Sequence, residues 1–117
     1  MAEDYGSSAL TLTEIEGDDW GDAPVEGTYL VRTCTALRHV PLRDFGPEDL
    51  RIMIGQRISL PILVPMALTV LADDPDAAGD FGPRDLLRAV CAVPESYWAD
   101  RPHEAARLAR IRRATLG

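Results

Sequence analysis

The chain has 117 residues, 46% of them hydrophobic, which suits one domain that builds its own core without staples. A formal net charge of -7, with every cation an arginine, disfavours direct binding of nucleic acid and favours a basic protein partner whose association falls with salt. The N-terminus is acidic where a signal peptide needs a basic region, and the longest apolar run is too short to span a bilayer, so a cytoplasmic protein with no membrane partner is expected.

Residues 1–10 carry little apolar content and are expected to form a disordered tail, leaving 11–117 as a single helical domain. Thr11 to Glu16 has the capping-box spacing, with Glu14 three residues after Thr11, and is read as a short helix, with a short strand as the rival that its Thr, Leu12 and Ile15 content allows. A breaker-rich loop, Gly17 to Pro24, follows. It sets Trp20 among Asp18, Asp19 and Asp22, where the ring either folds back over the core or stands out as a binding anchor ringed by carboxylates.

Between Thr28 and His39 the apolar residues Leu30, Val31, Cys34 and Leu37 recur at helical spacing, with Arg32, Thr33 and Arg38 assigned to the other faces. Pro41 ends that helix. Pro47 opens the next, with Glu48 and Asp49 in its first turn and Leu50, Met53, Ile54 and Ile58 as its stripe. Gln56, near its end, is expected to satisfy backbone groups where it meets the following helix.

The most apolar stretch, Ile58 to Leu71, is polar on no face between Ile62 and Leu68. It predicts a central buried helix from about Pro61 to Ala72, in which Pro65 lies close enough to the start to forgo few hydrogen bonds. Asp73, Asp74, Asp76 and Asp80 then crowd one loop. Calcium is not indicated, because Pro75 and Ala77 break the ligand spacing and no closing Glu follows. A helix from about Asp85 carries Leu86, Leu87, Val90 and Cys91 on one stripe and stops at Pro94. Ser96-Tyr97-Trp98 reads as a turn, and Pro102 to about Thr115 as a last helix with Ala105, Leu108, Ala109 and Ile111 inward and arginines outward.

The fold class is therefore all-α, a compact single-domain bundle of about five to six short helices around the central one. The expected core includes Leu30, Leu50, Ile54, Pro65, Leu68, Leu71, Leu86, Leu87 and Trp98. Cys34 and Cys91 match no metal-binding spacing and are expected to be buried free thiols. His39 and His103 have no motif partner, and the chain contains no nucleophile elbow, phosphate loop, zinc helix or dinucleotide fingerprint. No catalytic, cofactor or metal residue is assigned, and the expectation is a non-enzymatic monomer.

Several segments in order carry a resemblance: Glu16-x-x-x-Trp20, then Leu37-Arg38 followed by Pro41-Leu42, then Glu48-Asp49-Leu50-Arg51-x-x-Ile54-Gly55-Gln56-x-Ile58, then Leu63-Val64-Pro65-x-Ala67-Leu68-x-x-Leu71. Beyond these come Pro75-x-x-x-Gly79-Asp80-Phe81, Asp85-Leu86-Leu87 and Tyr97-Trp98. Together they resemble the contact-dependent growth inhibition (CDI) immunity proteins from roughly Leu12 to Trp98. The chain departs from that pattern at Ser59 and Arg84, where glycine is commoner, and at Asp74 and Asp76, where Asn and Leu are.

The resemblance implies a protein that binds and neutralises a cognate toxin C-terminal domain, commonly a nuclease with a basic cleft. An acidic surface competes for such a cleft, which places candidate toxin contacts at Asp18, Asp19, Trp20, Asp22, Asp73, Asp74, Asp76 and Asp80. The alternative reading is a helical adaptor that binds nucleic acid or protein through its Arg-rich C-terminal helix.

Overall fold

The computed structural model describes residues 5–21, 27–80, 82 and 84–116, with the side chain of Leu116 excepted. Among these the chain forms seven α-helices: α1 (Leu12–Glu16), α2 (Tyr29–Leu37), α3 (Pro47–Gly55), α4 (Leu60–Asp73), α5 (Asp85–Cys91), α6 (Glu95–Ala99) and α7 (Pro102–Leu116). Single 3-10 turns lie at Tyr5–Ser7 and Leu42–Asp44. The all-α expectation holds. The helix count rises because Ser96-Tyr97-Trp98, expected to be a turn, lies within α6.

Local chemistry explains each start. Thr11 accepts the Glu14 amide while the Glu14 carboxylate accepts the Thr11 amide, the reciprocal capping box, and Gly17 closes α1 at φ 66°. Thr28 caps α2 by accepting the Val31 amide at 3.2 Å. Asp49 reaches back to the Gly46 amide at 2.9 Å, and Pro47 is preorganised for the first turn of α3.

α4 is the centre of the bundle. Ile62, Leu63, Val64, Met66, Ala67, Leu68 and Leu71 are all buried on it, and it is packed by α3, α5, α7 and the Tyr5–Ser7 turn. Pro65 sits inside it, forgoing the bond to the Pro61 carbonyl, and is half-buried where full burial was expected. Leu50, Met53 and Ile54 of α3 and Leu86, Leu87 and Val90 of α5 complete the core, with Trp98 half-buried at its margin. Residues 8–10 run beside the second 3-10 turn, where the Leu10 and Ser8 carbonyls accept the Leu42 and Arg43 amides at 2.9 Å each.

Five expectations are corrected. Leu30 is 41% exposed. It lies on the stripe of Cys34 and Leu37, but in the first turn of α2, where it lines an open cleft with Trp20 and Ile58 and is not covered by the described residues. Arg38, assigned to an outer face, is buried to 1% exposure because it follows Cys34 by four residues and so shares its side of the helix. Cys91 is exposed at the end of α5, beside a groove that Arg88 and Arg112 also line, whereas Cys34 is buried. Gln56 and Ala109 are exposed as well; the Gln56 backbone amide, not its side chain, closes α3 onto Ile52 and Met53.

Candidate functional surface

The acidic Trp20 loop is organised by one buried guanidinium. Arg38 Nη1 donates to Glu16 Oε1 at 2.6 Å and to Ser59 Oγ at 3.3 Å, and Nη2 donates to the Asp18 carbonyl at 2.7 Å. Ser59 Oγ donates to the same Glu16 oxygen at 2.9 Å, so the end of α1, the end of α2 and the start of α4 meet at one carboxylate. Above the guanidinium lies the Trp20 ring, 4.4 Å from Cζ to centroid, a cation–π stack.

The loop aspartates serve this arrangement. Asp18 accepts the Trp20 indole N–H at 3.2 Å. Asp19 accepts the Gly21 amide at 2.8 Å and contacts His39 Nε2 at 3.1 Å; the first of these, then the histidine, holds its carboxyl below the ordinary range. Trp20 nevertheless stays 45% exposed, and with Leu30, Val31, Cys34, Thr35, Gln56 and Ile58 it lines a cleft of about 240 Å³. The ring is folded onto Arg38 and leaves just under half of its surface open. Asp22 lies outside the described residues.

The second acidic loop is fastened elsewhere. Glu48, in the first turn of α3, binds Arg51 through both oxygens and also accepts the Asp80 amide at 2.9 Å. Arg51, then the Asp80 amide, holds the Glu48 carboxyl below its usual value. Asp85 accepts the Gly79 amide at 2.7 Å and lies 3.6 Å from Arg51 Nε. A Cβ at Gly79 would stand 2.9 Å from the Glu48 Cα and 3.1 Å from Asp85 Oδ2, as well as striking Glu48 Oε1. The loop backbone can approach α3 only as glycine. On its outer side Asp76 pairs with Arg84 at 2.7 Å, Asp74 accepts the Asp76 amide, and Asp73 and Asp80 are exposed.

The candidate contacts thus form two groups. Asp18, Asp19 and Trp20 gather at the Ser59 end of α4, while Asp73, Asp74, Asp76 and Asp80 gather at its other end, about 20 Å away along fourteen residues of helix. Sequence reasoning missed Arg38, Glu16 and Glu48 as organisers. The available signal was the spacing of Arg38 from Cys34, together with the presence of Glu16, Arg38, Glu48, Arg51, Gly79 and Asp85 in the segments that carried the resemblance. Among the described residues no group of three or more His, Cys, Asp or Glu is placed to hold a metal ion, and no helix is long and apolar enough to cross a membrane.

Fold and surface together define a small all-α protein whose charged side chains fasten its loops and whose candidate site is an open face beside acidic residues. The chain belongs to the CDI immunity proteins: the model of that family matches residues 14–108, most of its length. Immunity against a CDI toxin, through binding of that toxin, is the function membership carries. Neither the curated proteins nor the solved structures compared with it give a match.

Proposed function

We propose that the chain neutralises a nuclease toxin by covering the basic surface on which that enzyme holds its substrate, acting as a monomer in the cytoplasm without chemistry of its own. The observation that carries this is the placement of exposed carboxylates at both ends of α4: Asp18 and Asp19 at one, Asp73, Asp74, Asp76 and Asp80 at the other. With a net charge of -7 behind them, they supply the field that a phosphate-binding cleft attracts. The adaptor reading is less well supported. Arg101, just before α7, stacks on Tyr97 and Arg107 of α7 donates to Thr69, so some of the C-terminal arginines are engaged in packing.

The test is co-expression with the C-terminal domain of the toxin encoded beside this chain. Growth should be rescued. Replacing Asp18, Asp19 and Asp22 by alanine, and separately Asp73, Asp74 and Asp76, should weaken binding in at least one set and flatten its dependence on salt, because fewer screened pairs then contribute. Affinity and salt dependence unchanged in both sets would remove the charge-mimicry mechanism, and failure to rescue against every adjacent toxin would remove the pairing.

A further inference from the structure

The two acidic loops lie at opposite ends of α4, and their surroundings differ. Among the described residues the large apolar side chains that are exposed are Leu10, Trp20, Tyr29, Leu30 and Val31; Trp20, Leu30 and Val31 line one cleft, and none belongs to the Asp73–Asp80 loop. Leu30 and Val31, 41% and 49% exposed, continue the stripe that Cys34 and Leu37 bury. That stripe is unfinished, and an apolar helix face left open beside a fixed aromatic is the usual shape of a binding anchor.

We infer that the toxin is anchored at this end of the molecule: the cleft between Trp20 and the first turn of α2 takes an apolar side chain of the toxin that is flanked by cations. The inference rests on the immunity reading above and chooses between the two acidic loops. Three observations carry it. The cleft, about 240 Å³, is lined by Cys34 and Ile58 besides Trp20, Leu30 and Val31, with Thr35 and Gln56 as its polar members, and so offers a mainly apolar contact. Trp20 is already immobilised by the Arg38 guanidinium beneath it and the Asp18 carboxylate at its N–H, so little side-chain freedom is lost on binding. Next to the cleft, across Trp20 and Ile58, lies a second pocket lined by Glu16, Asp18, Arg38 and Arg57, and the exposed Asp19 follows Asp18, so that carboxylates outnumber cations around Trp20 and favour a partner whose apolar tip is bracketed by Lys or Arg.

Leu30→Asp and Val31→Asp test this in the full chain. Both residues are in the first turn of α2, where a carboxylate suits the helix dipole, so folding should survive. Against the purified toxin domain each should bind at least about 30-fold more weakly than wild type, with a thermal midpoint within a few degrees of it. The Asp73, Asp74 and Asp76 alanine set should lose less than about 10-fold. Trp20 emission should shift to the blue when the toxin domain is added, and Trp20→Phe should lose that shift.

Wild-type affinity in Leu30→Asp would overturn the inference while leaving the immunity reading intact. A large fall in thermal midpoint would instead mean that the chain itself packs on this face, and a wild-type dimer turned monomeric by Leu30→Asp would make the occupant a second copy; either overturns the inference. A toxin domain that fails to bind wild type would overturn the reading on which it rests.

Discussion

Ser59 and Arg84 hold the left-handed backbone conformation, at φ 52° and 66°. These are the two positions at which the resemblance expected glycine, and the reason is now physical: glycine takes that conformation freely, whereas any side chain strains it. Each side chain offsets its strain differently. Ser59 Oγ bridges Glu16 and Arg38, while Arg84 reaches Asp76, itself a departure from the family pattern, in an ion pair whose members are both more than half exposed. Such a surface pair contributes little. Arg84→Gly should therefore raise stability by about 0.5–1 kcal/mol in urea titrations, whereas Ser59→Gly should leave it nearly unchanged, since relief of strain is set against the loss of a hydrogen bond of about 1 kcal/mol. Residue-level features of this kind were only half legible. The departures were visible in the sequence; the backbone angles that give them meaning were not. Arg38 was misread because a long cation is by default placed on the outside, and only its partners Glu16, Ser59 and the Asp18 carbonyl, 21 to 22 residues away or 20 in the last case, make its burial tolerable.

Among elements, the starts of α1, α3 and α5 followed from caps, prolines and stripes, because these signals act within one turn, whereas α3 ends at Gly55 and leaves Ile58, expected on its stripe, outside it. What could not be read was how α3, α5 and the loop between Asp74 and Arg84 lock together, since that depends on Glu48, Gly79 and Asp85 meeting across long stretches of chain. The close approach at Gly79 sets its own prediction: Gly79→Ala should destabilise by about 1–3 kcal/mol, because the neighbour on one side is backbone and cannot rotate away. The same junction gives a pH dependence. Glu48 is held below its usual value in the folded chain, so the stability it contributes is complete above the ordinary glutamate range, about 4.3, and is lost as pH falls through that range and below. Wild type should lose stability over this interval more steeply than Glu48→Gln, a difference that urea midpoints at successive pH values would measure. If the two curves are parallel, the Arg51 pair contributes nothing to folding.

For the molecule as a whole, the division of labour was legible early: the most apolar run became α4, with bounds one residue beyond those expected at each end. Leu68 is fully buried there, and Leu68→Ala should cost about 2–5 kcal/mol of stability, with protection lost only to the extent that the chain unfolds. A urea midpoint measured beside toxin affinity separates the two effects. That the two acidic loops come to opposite ends of α4 was not legible, because chain order says nothing about which end of a helix a loop comes to occupy. Leu30 belongs to the same lesson: periodicity identifies the face a residue is on and not whether the body of the protein extends far enough to cover it.

The exposure of the first turn of α2 has a kinetic consequence. That turn is closed by the Thr28 cap and by bonds such as Arg32 N–H to the Thr28 carbonyl, and Tyr29, Leu30 and Val31 are exposed along it. Amides of Val31 and Arg32 in the free chain should exchange with solvent by local fraying, far faster than those of α4, and should slow when the cleft is filled. A partner that docks there would meet a helix end that is still opening and closing, so part of the association free energy would go into ordering that turn, and the dissociation rate would report how completely it had been ordered.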